Sequence, residues 1–240
     1  MAEKTNEKAL VFDAGPIISL TTNNLLWILA ELKERFKGRF YIVESVRREL
    51  IDKPITTKKF KFEALQVEQL IESDVLTVAS EQKAKEDAIR FMTLANSSLV
   101  VNQTPLKLVQ LAEMESIAFG LRCSAQAIVI DEKTTRLLVE NPEGLARLLS
   151  KRLHVNVKID KEALSELHAV LDGIRFIRSV ELAAAAYALG ILDRFVVKVP
   201  DARTELVDSV LWGLKLNGCA ISEHELSDLT RLALEQKQNL

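Results

Sequence analysis

Cysteine is scarce in this chain, which excludes proteins held together by disulfides or by thiolate metal sites. Cys123 and Cys219 are the only two cysteines among the 240 residues, and they lie far apart in the sequence. A disulfide framework needs several cysteines, and a thiolate metal site needs them in closely spaced pairs. We therefore expect neither, and a reducing cytoplasm is the compartment that this composition favours.

Long apolar runs and an excess of positive charge are missing as well. The apolar stretch 182–192 is too short to span a bilayer, and the charged start of the chain, MAEKTNEK, is not typical of a secretion signal. Lysine and arginine total 32 against 34 for aspartate and glutamate, which gives a formal net charge of -2. Any contact with nucleic acid must therefore come from a local group of basic residues. We expect a cytoplasmic protein with no membrane contact.

The motifs of several enzyme classes are also absent. The chain has neither of the glycine-rich phosphate-binding patterns, GxxxxGK[ST] and GxGxxG, and no GxSxG nucleophile motif. His154, His168 and His224 are scattered, and no spacing sets two of them on one helical face for a metal. We expect each histidine to be a surface or packing residue. Chemistry must therefore come from carboxylates.

The sequence does contain an alternation of short apolar runs and longer helical patterns, which is typical of a parallel sheet covered by helices. Gly15 and Pro16 are expected to break the first strand and open a turn. Asn24, Ser80 and Ser222 are predicted helix caps, the last of them in a capping box with Glu225. The predicted strands are residues 9–12, 40–43, 75–78, 127–130, 154–159 and 175–177.

Two of the predicted strands end in an aspartate. Asp13 follows the first strand, and Asp131 follows the strand at 127–130. Open α/β sheets usually place their chemistry at the carboxyl ends of the strands, so both carboxylates are candidate site residues. Each also has an ordinary structural explanation, because Asp13 before Ala-Gly-Pro can form a turn and Asp131 can cap the following helix.

Three glutamates complete the candidate set. Glu49 lies in a short helical segment, and Glu113 and Glu115 lie on a mostly apolar helix. Taken singly, such residues are usually solvent-exposed helix positions. Their order along the chain is what points to a site.

Four segments, VFDAGPIISL, VESVRREL, LAEMESIAFGL and AIVIDEKTTR, resemble in that order the acidic motifs of PIN-domain proteins. Two later segments, RSVELAAAAYALGIL and LVDSVLWGLKLNGCAISEHEL, resemble the helix-rich end of a prokaryotic, VapC-like branch of that family. The resemblance implies an α/β fold, a three-layer α/β/α sandwich with a central, mainly parallel sheet and extra C-terminal helices. We expect one domain over residues 1–240, with an insertion at 141–171 and a C-terminal helical extension, 201–240, packed on it.

The resemblance also implies the site residues and their cofactor. Clustered carboxylates bind Mg²⁺ or Mn²⁺, which neutralises the phosphate and activates water for phosphodiester hydrolysis. Mutual repulsion between these acids should raise at least one pKa, so metal binding should stabilise the fold. The predicted catalytic and metal-binding residues are Asp13 and Asp131 as principal ligands, completed by Glu49 and Glu115.

Three positions near this set qualify the assignment. Glu113 is a less favoured substitute for Glu115, and Glu132 lies where relatives often carry another acid. Val129 stands two places before the last aspartate, where many family members have a hydroxyl residue. This departure predicts that a polar support of Asp131 is missing.

The implied substrate is RNA, cleaved to leave a 5′-phosphate and a 3′-hydroxyl, and single-stranded RNA is the expected form. Lys58, Lys59 and Lys61 are the first candidates for RNA contact, because phenylalanines that can stack on bases interleave with them. The basic runs at 33–39 and 147–152 are further candidates. An antitoxin or other protein partner and self-association are implied by the resemblance alone.

Three hypotheses about function stay open at this point. The chain is a metal-dependent endoribonuclease, acting as a VapC-like toxin or in RNA processing, or it is a PIN-like RNA-binding or scaffold protein that has lost catalysis. The third hypothesis is a phosphatase with Asp13 as nucleophile, which is disfavoured because the residue two places on is Gly15 rather than a second acid.

Overall fold

A five-stranded parallel sheet forms the centre of the protein in a computed structural model that describes residues 8–238. The strands in chain order are β1 (Ala9–Phe12), β2 (Arg39–Val43), β3 (Thr77–Ala79), β4 (Leu99–Val101), β5 (Thr104–Pro105), β6 (Ala127–Val129), β7 (Val157–Ile159) and β8 (Phe176–Ile177). The central sheet has the order β3-β2-β1-β6-β8, with every neighbouring pair parallel. The predicted mainly parallel sheet is therefore confirmed.

β1 lies in the middle of this sheet and is buried along its whole length, as its unbroken apolar sequence predicts for a parallel strand covered on both faces. Successive side chains of a strand point to opposite faces. Accordingly, Leu10 and Phe12 pack into one hydrophobic core, whereas Val11 packs with Ile128 into a second core. The sheet thus separates two cores, each closed by helices.

Helices lie on both faces of the sheet, which confirms the predicted α/β class and layer arrangement. Between Arg48 and Asp52 the chain forms a π-helical segment that joins two short helices. The helices are α1 (Ala14–Thr22), α2 (Ile28–Phe36), α3 (Glu44–Arg47), α4 (Lys53–Ile55), α5 (Lys61–Glu72), α6 (Gln82–Ser97), α7 (Leu111–Arg122), α8 (Lys133–Glu140), α9 (Pro142–Leu153), α10 (Lys161–Val170), α11 (Ser179–Ala188), α12 (Ala202–Leu216) and α13 (Glu223–Gln238).

The predicted turn at Gly15 and Pro16 is wrong, because α1 begins directly after β1. Asp13 is the N-cap of this helix, and its Oδ2 accepts a hydrogen bond from the backbone N–H of Gly15 at 3.4 Å. Pro16 lies in the first helical turn, where backbone N–H groups have no partner within the helix, so its missing N–H costs nothing. The strand-to-helix connection is therefore a single residue, Asp13.

Two predicted helix caps are also wrong. Asn24 has a left-handed φ of 55° and closes α1, because Leu25 N–H bonds to Leu20 O at 2.8 Å and Asn24 N–H bonds to Thr21 O at 3.0 Å. This is the usual arrangement of a helix C-terminus, where asparagine tolerates the left-handed conformation. Ser80 does not cap α6 either, since Glu81 occupies the N-cap position of that helix.

Residues 141–171 contribute to a second, smaller sheet. The predicted strand at 154–159 is present as β7, but it pairs antiparallel with β4 rather than joining the central sheet. β4 also pairs with β5 through a tight turn in which Asn102 and Gln103 have φ values of 48° and 68°. Positive φ at both turn residues suits a two-residue hairpin. This small sheet and the helices around it supply part of the second core.

The C-terminal helices pack against α1 and against one another. Leu206, Leu211 and Leu214 of α12 belong to the same core as Phe12. The predicted capping box of α13 is confirmed, since Ser222 N–H bonds to Glu225 Oε2 at 3.0 Å and Glu225 N–H bonds to Ser222 Oγ at 3.2 Å. The division into one domain with an insertion and an extension stays a prediction.

Between residues 8 and 238, no helix combines the length and the apolar character needed to cross a membrane. The start of the chain, on which the predicted absence of a secretion signal depended, falls almost entirely in residues 1–7, outside the described residues. The cytoplasmic location stays a prediction.

Candidate active site

The carboxyl ends of β1 and β6 lie side by side and bring Asp13 and Asp131 to the same edge of the sheet. Phe12 is paired with Val129, and Asp13 N–H extends this pairing by bonding to Val129 O at 2.9 Å. A cavity of about 220 Å³ opens at this edge. Its lining consists of Asp13, Ala14, Gly15, Ile18, Ser19, Glu49, Gln110, Ala112, Glu113, Asp131, Glu132, Asn217 and Gly218.

Asp13 is buried at the base of this cavity. The pKa of its carboxyl group is raised from 3.8 to about 6, chiefly by burial and to a smaller extent by the negative charges of Glu49 and Asp131. Hydrogen bonds from the backbone N–H groups of Ala14 and Gly15 oppose the shift. Loss of hydration therefore dominates, and like charge adds to it.

Asp131 is held by three hydrogen bonds. Its Oδ2 accepts from Ser19 Oγ at 2.8 Å and from Ser179 Oγ at 2.7 Å, and its Oδ1 accepts from Ser179 N–H at 2.8 Å. Val129, where the sequence predicts a missing hydroxyl support, is fully buried in the core. That prediction is wrong, because serines from α1 and from the start of α11 supply the support.

Glu113 of α7, rather than Glu115, lines the cavity. The pKa of Glu113 is raised from 4.5 to about 7, chiefly by burial and also by the nearby charges of Asp13 and Glu132, whereas the hydroxyl of Thr135 opposes the shift by donating to Glu113 Oε2. Glu115 is also buried but is not part of the cavity wall. Residues two apart on a helix point about 200° away from each other, so only one of them can face the site. The structure therefore places Glu113, rather than Glu115, in the same cavity as Asp13 and Asp131, and the role of either glutamate in the site stays a prediction.

Glu49 and Glu132 lie at the rim of the cavity. Glu49 is exposed on the π-helical segment that follows α3, and Glu132 is the N-cap of α8, where its side chain accepts from Thr134 N–H at 3.0 Å. The structure therefore brings together four carboxylates from the predicted order of motifs, on Asp13, Glu49, Glu113 and Asp131, with Glu132 beside them.

A comparison with protein families matches residues 9–143 to a family described as a PIN domain. This region covers more than half of the chain. The chain belongs to the PIN-domain family. Comparison with curated proteins and with solved structures gives no match. The matched region contains all five carboxylates that line the cavity.

PIN-domain nucleases generally use divalent metal ions, and the donor set of this PIN domain fits such an ion chemically. The ionisable side chains that line the cavity are all carboxylates, the ligands that Mg²⁺ and Mn²⁺ prefer. Burial and like charge raise the pKa of Asp13 and Glu113, and a bound cation would offset both effects. As they stand, no three acidic, histidine or cysteine side chains within residues 8–238 are close enough together to hold one ion.

The sequence did not indicate several residues that line this cavity or hold its carboxylates. Ser179 follows β8, which is the sheet neighbour of β6, so the rule about the carboxyl ends of strands would have indicated it. Asn217 and Gly218, directly after α12, also line the cavity, and Gly218 has a φ of 125° that favours glycine. All three lie outside the region matched to the family.

The candidate RNA contacts of the PIN domain flank Phe60 at the start of α5. Lys58 and Lys59 are exposed in the loop before α5, and Lys61 is the first residue of that helix. Among the described residues, these three lysines form no ion pair with an acidic side chain. By contrast, in the basic run 33–39, Lys33 pairs with Asp74 at 3.5 Å. The cluster at 58–61 is therefore available for a polyanion.

Proposed function

We propose that this PIN domain is a metal-dependent endoribonuclease whose active site is the acidic cavity at the carboxyl edge of β1 and β6. The observation that carries the proposal is the meeting of four carboxylates, from four separate segments, in one cavity. Their order along the chain matches the acidic motifs of the family, and the family is commonly one of nucleases. The substrate we propose is single-stranded RNA.

The four carboxylates, on Asp13, Glu49, Glu113 and Asp131, would hold Mg²⁺ or Mn²⁺. When bound, such an ion neutralises charge at the phosphate and lowers the pKa of a bound water. Asp131 is the most firmly oriented of the four, because three donors fix both of its oxygens. Such pre-orientation reduces the reorganisation needed when a ligand or substrate arrives.

Asp13 and Glu113 can hold protons near neutral pH. With pKa values of about 6 and about 7, both carboxyl groups are partly protonated there in the absence of a cation. Thr135 keeps Glu113 Oε2 in place by donating a hydrogen bond to it. The chain thus presents one carboxylate fixed by donors and two acids whose charge depends on what occupies the cavity.

The test is cleavage of single-stranded RNA by metal-stripped protein to which Mn²⁺ is added back. We expect Mn²⁺-dependent products carrying 5′-phosphates, and we expect Asp13→Asn or Asp131→Asn to abolish them. The amide replacements keep the size of each side chain, and melting curves check that the variants are folded. Unchanged cleavage by both variants would remove this cavity as the active site.

A second candidate function is RNA binding without catalysis, as a PIN-like scaffold. It is favoured by the finding that no three carboxylates of the described residues stand close enough to hold one ion. This alternative predicts RNA binding by the wild-type chain with no heat of Mn²⁺ binding in calorimetry. Tight Mn²⁺ binding that Asp131→Asn abolishes excludes it.

The cellular role that we propose is that of a VapC-like toxin or an RNA-processing enzyme. If the chain is a toxin, inducing the wild-type chain alone arrests growth, and inducing the Asp13→Asn variant does not. An RNA-processing enzyme instead alters specific transcripts without arrest. Association with an antitoxin or with a second copy of the chain is part of the toxin proposal and is tested by co-purification.

A further inference from the structure

A second cavity, of about 240 Å³, opens directly beside the acidic one. The two cavities share Ile18 and Glu49 in their walls. A group bound in the second cavity therefore lies beside Glu49, which is one of the carboxylates of the acidic cavity. The complete lining of the second cavity is Ile18, Thr21, Thr22, Glu49, Leu50, Pro54, Phe60, Glu63 and Val67.

The second cavity is mainly apolar, in contrast to its neighbour. Leu50 and Val67 are buried core residues at its base. The hydroxyls of Thr21 and Thr22 are engaged, since they donate to Ile17 O at 2.7 Å and to Ile18 O at 2.9 Å. Pockets that enclose a drug-sized ligand are usually about 300–1,000 Å³, so this smaller space suits a single ring system.

Phe60 provides an aromatic wall. Its side chain is 48% exposed although it lines the cavity, and its backbone has a left-handed φ of 62°, which is rare for an aromatic residue. Lys59 Nζ lies 4.6 Å from the centroid of the Phe60 ring. The exposed ring is thus a stacking surface next to a positive charge.

The charges around the second cavity favour the base of a nucleotide inside it and the phosphate outside it. Glu49 and Glu63 in the wall repel a phosphate group, so the cavity disfavours the RNA backbone. Outside the wall, Lys58, Lys59 and Lys61 attract that backbone. An uncharged base would enter the cavity while its phosphates stay with the lysines.

We propose that the second cavity is a subsite for one unpaired base of the RNA, stacked on Phe60, next to the phosphodiester at the acidic cavity. This inference rests on the proposed function and adds to it the element that selects single-stranded RNA. A base within a duplex is stacked and paired, so it cannot enter this apolar cavity without being extruded.

Binding of a short, fluorescein-labelled single-stranded RNA to the full chain, followed by fluorescence anisotropy, tests the subsite. The Asp13→Asn background prevents cleavage during the measurement. Because base–aromatic stacking is worth about 1–3 kcal/mol, Phe60→Ala should weaken binding by about 5- to 140-fold. Phe60→Trp, which keeps a stacking surface, should restore the affinity.

Phe195→Ala is the matched control. Phe195 has the same exposed fraction, 48%, but it does not line either cavity near the acidic site. We expect this variant to bind RNA within about two-fold of its parent, a change of less than about 0.5 kcal/mol. Equal affinities of the Phe60→Ala and Phe195→Ala variants would overturn the subsite.

A second measurement uses RNAs from which one base at a time is removed, leaving sugar and phosphate intact. At one position, removal should weaken binding to the Asp13→Asn parent as much as Phe60→Ala does, and it should have no further effect on the double variant. If removal of a base and Phe60→Ala weaken binding additively at every position, the subsite is contradicted. If Mn²⁺-dependent cleavage persists while Phe60→Ala has no effect, only the subsite is wrong; if the wild-type chain neither binds nor cleaves RNA, the proposed function fails with it.

Discussion

Asp13 and Glu113 show how burial in a cavity lined by like charges raises the pKa values of carboxyl groups. Burial is the main cause of their raised pKa values, about 6 and about 7, and neighbouring negative charges add to it. The folded protein therefore binds protons at these groups more tightly than the unfolded chain does. By linkage, the two groups lower the stability of the fold as the pH rises through the interval between the unfolded and folded pKa values.

Metal-free protein should accordingly lose stability between about pH 4 and about pH 7, by on the order of 1–3 kcal/mol for each group. The stability that protonation provides is fully present below the unfolded pKa values and is lost above the folded ones. Urea unfolding with a chelator, at about pH 5 and about pH 8, measures the difference.

The double variant Asp13→Asn, Glu113→Gln is the control for this pH dependence. Its amides cannot ionise, so it should be more stable than the wild-type chain at the higher pH and should lose less stability between the two conditions. Added Mn²⁺ should stabilise only the wild-type chain, because ligand binding to the folded state shifts the unfolding equilibrium. Identical pH dependence in both proteins would contradict the raised pKa values.

At the scale of elements, α7 explains why the sequence alone does not show which of Glu113 and Glu115 lines the cavity. All residues from Glu113 to Ala118 are buried, so the helix has no solvent-facing stripe that would reveal which side meets the site. The hydrophobic pattern of such a helix indicates burial but not rotation. Only the packing of α7 against the sheet and against α6 decides that Glu113 faces Asp13.

The pair Glu113→Gln and Glu115→Gln tests this rotation directly. Both residues are buried acids on one helix, and both changes keep the side-chain shape. Loss of Mn²⁺-dependent cleavage by about 100-fold or more is expected for Glu113→Gln, on the scale of a lost electrostatic contact in an active site. We expect Glu115→Gln to stay near the wild-type rate. The reverse result would return the third acid to Glu115.

The sequence predicts the strands of the central sheet but not β4 and β5 of the small sheet. β1, β2 and β6 are apolar runs bounded by clear breaks, and their positions and parallel pairing follow from the sequence. β4 and β5 have three residues and two residues, and their small sheet is completed by β7, which pairs with β4 from far along the chain. Such short segments carry too little pattern to be recognised locally.

At the scale of the whole molecule, the C-terminal helices complete a site that the family-matched region only begins. Ser179 lies at the start of α11, and Asn217 and Gly218 lie at the end of α12, beyond residue 143 where the family match ends. Sequence analysis predicted helices here but no role in the site. The contacts with Asp131 depend on long-range packing, which no local pattern records.

Arg178, the N-cap residue of α11, connects α11 to α13. It is 8% exposed, and its guanidinium pairs with Glu225 of α13 at 3.1 Å and, across one helical turn, with Glu181. Removing one partner of a buried ion pair costs about 3–5 kcal/mol, and somewhat less where, as at Glu225, the partner is exposed.

We therefore expect Arg178→Met to destabilise the chain by about 2–4 kcal/mol. It should also reduce cleavage, because Arg178 directly precedes Ser179, which donates two hydrogen bonds to Asp131. Arg203→Met, which removes an exposed pair with Asp193, is the control and should change the stability by less than about 1 kcal/mol. Urea unfolding of both variants measures the two values. A destabilisation no larger than that of the control would mean that Arg178 does not tie α11 to α13.

The most direct test of the proposed site is the anomalous scattering of manganese in a crystal of the wild-type chain grown with Mn²⁺. A peak in the acidic cavity, contacted by Asp13 and Asp131 with Glu113 nearer to it than Glu115, is the predicted result. Active protein whose crystals show no manganese in this cavity, or show it only beside Glu115, would contradict the account.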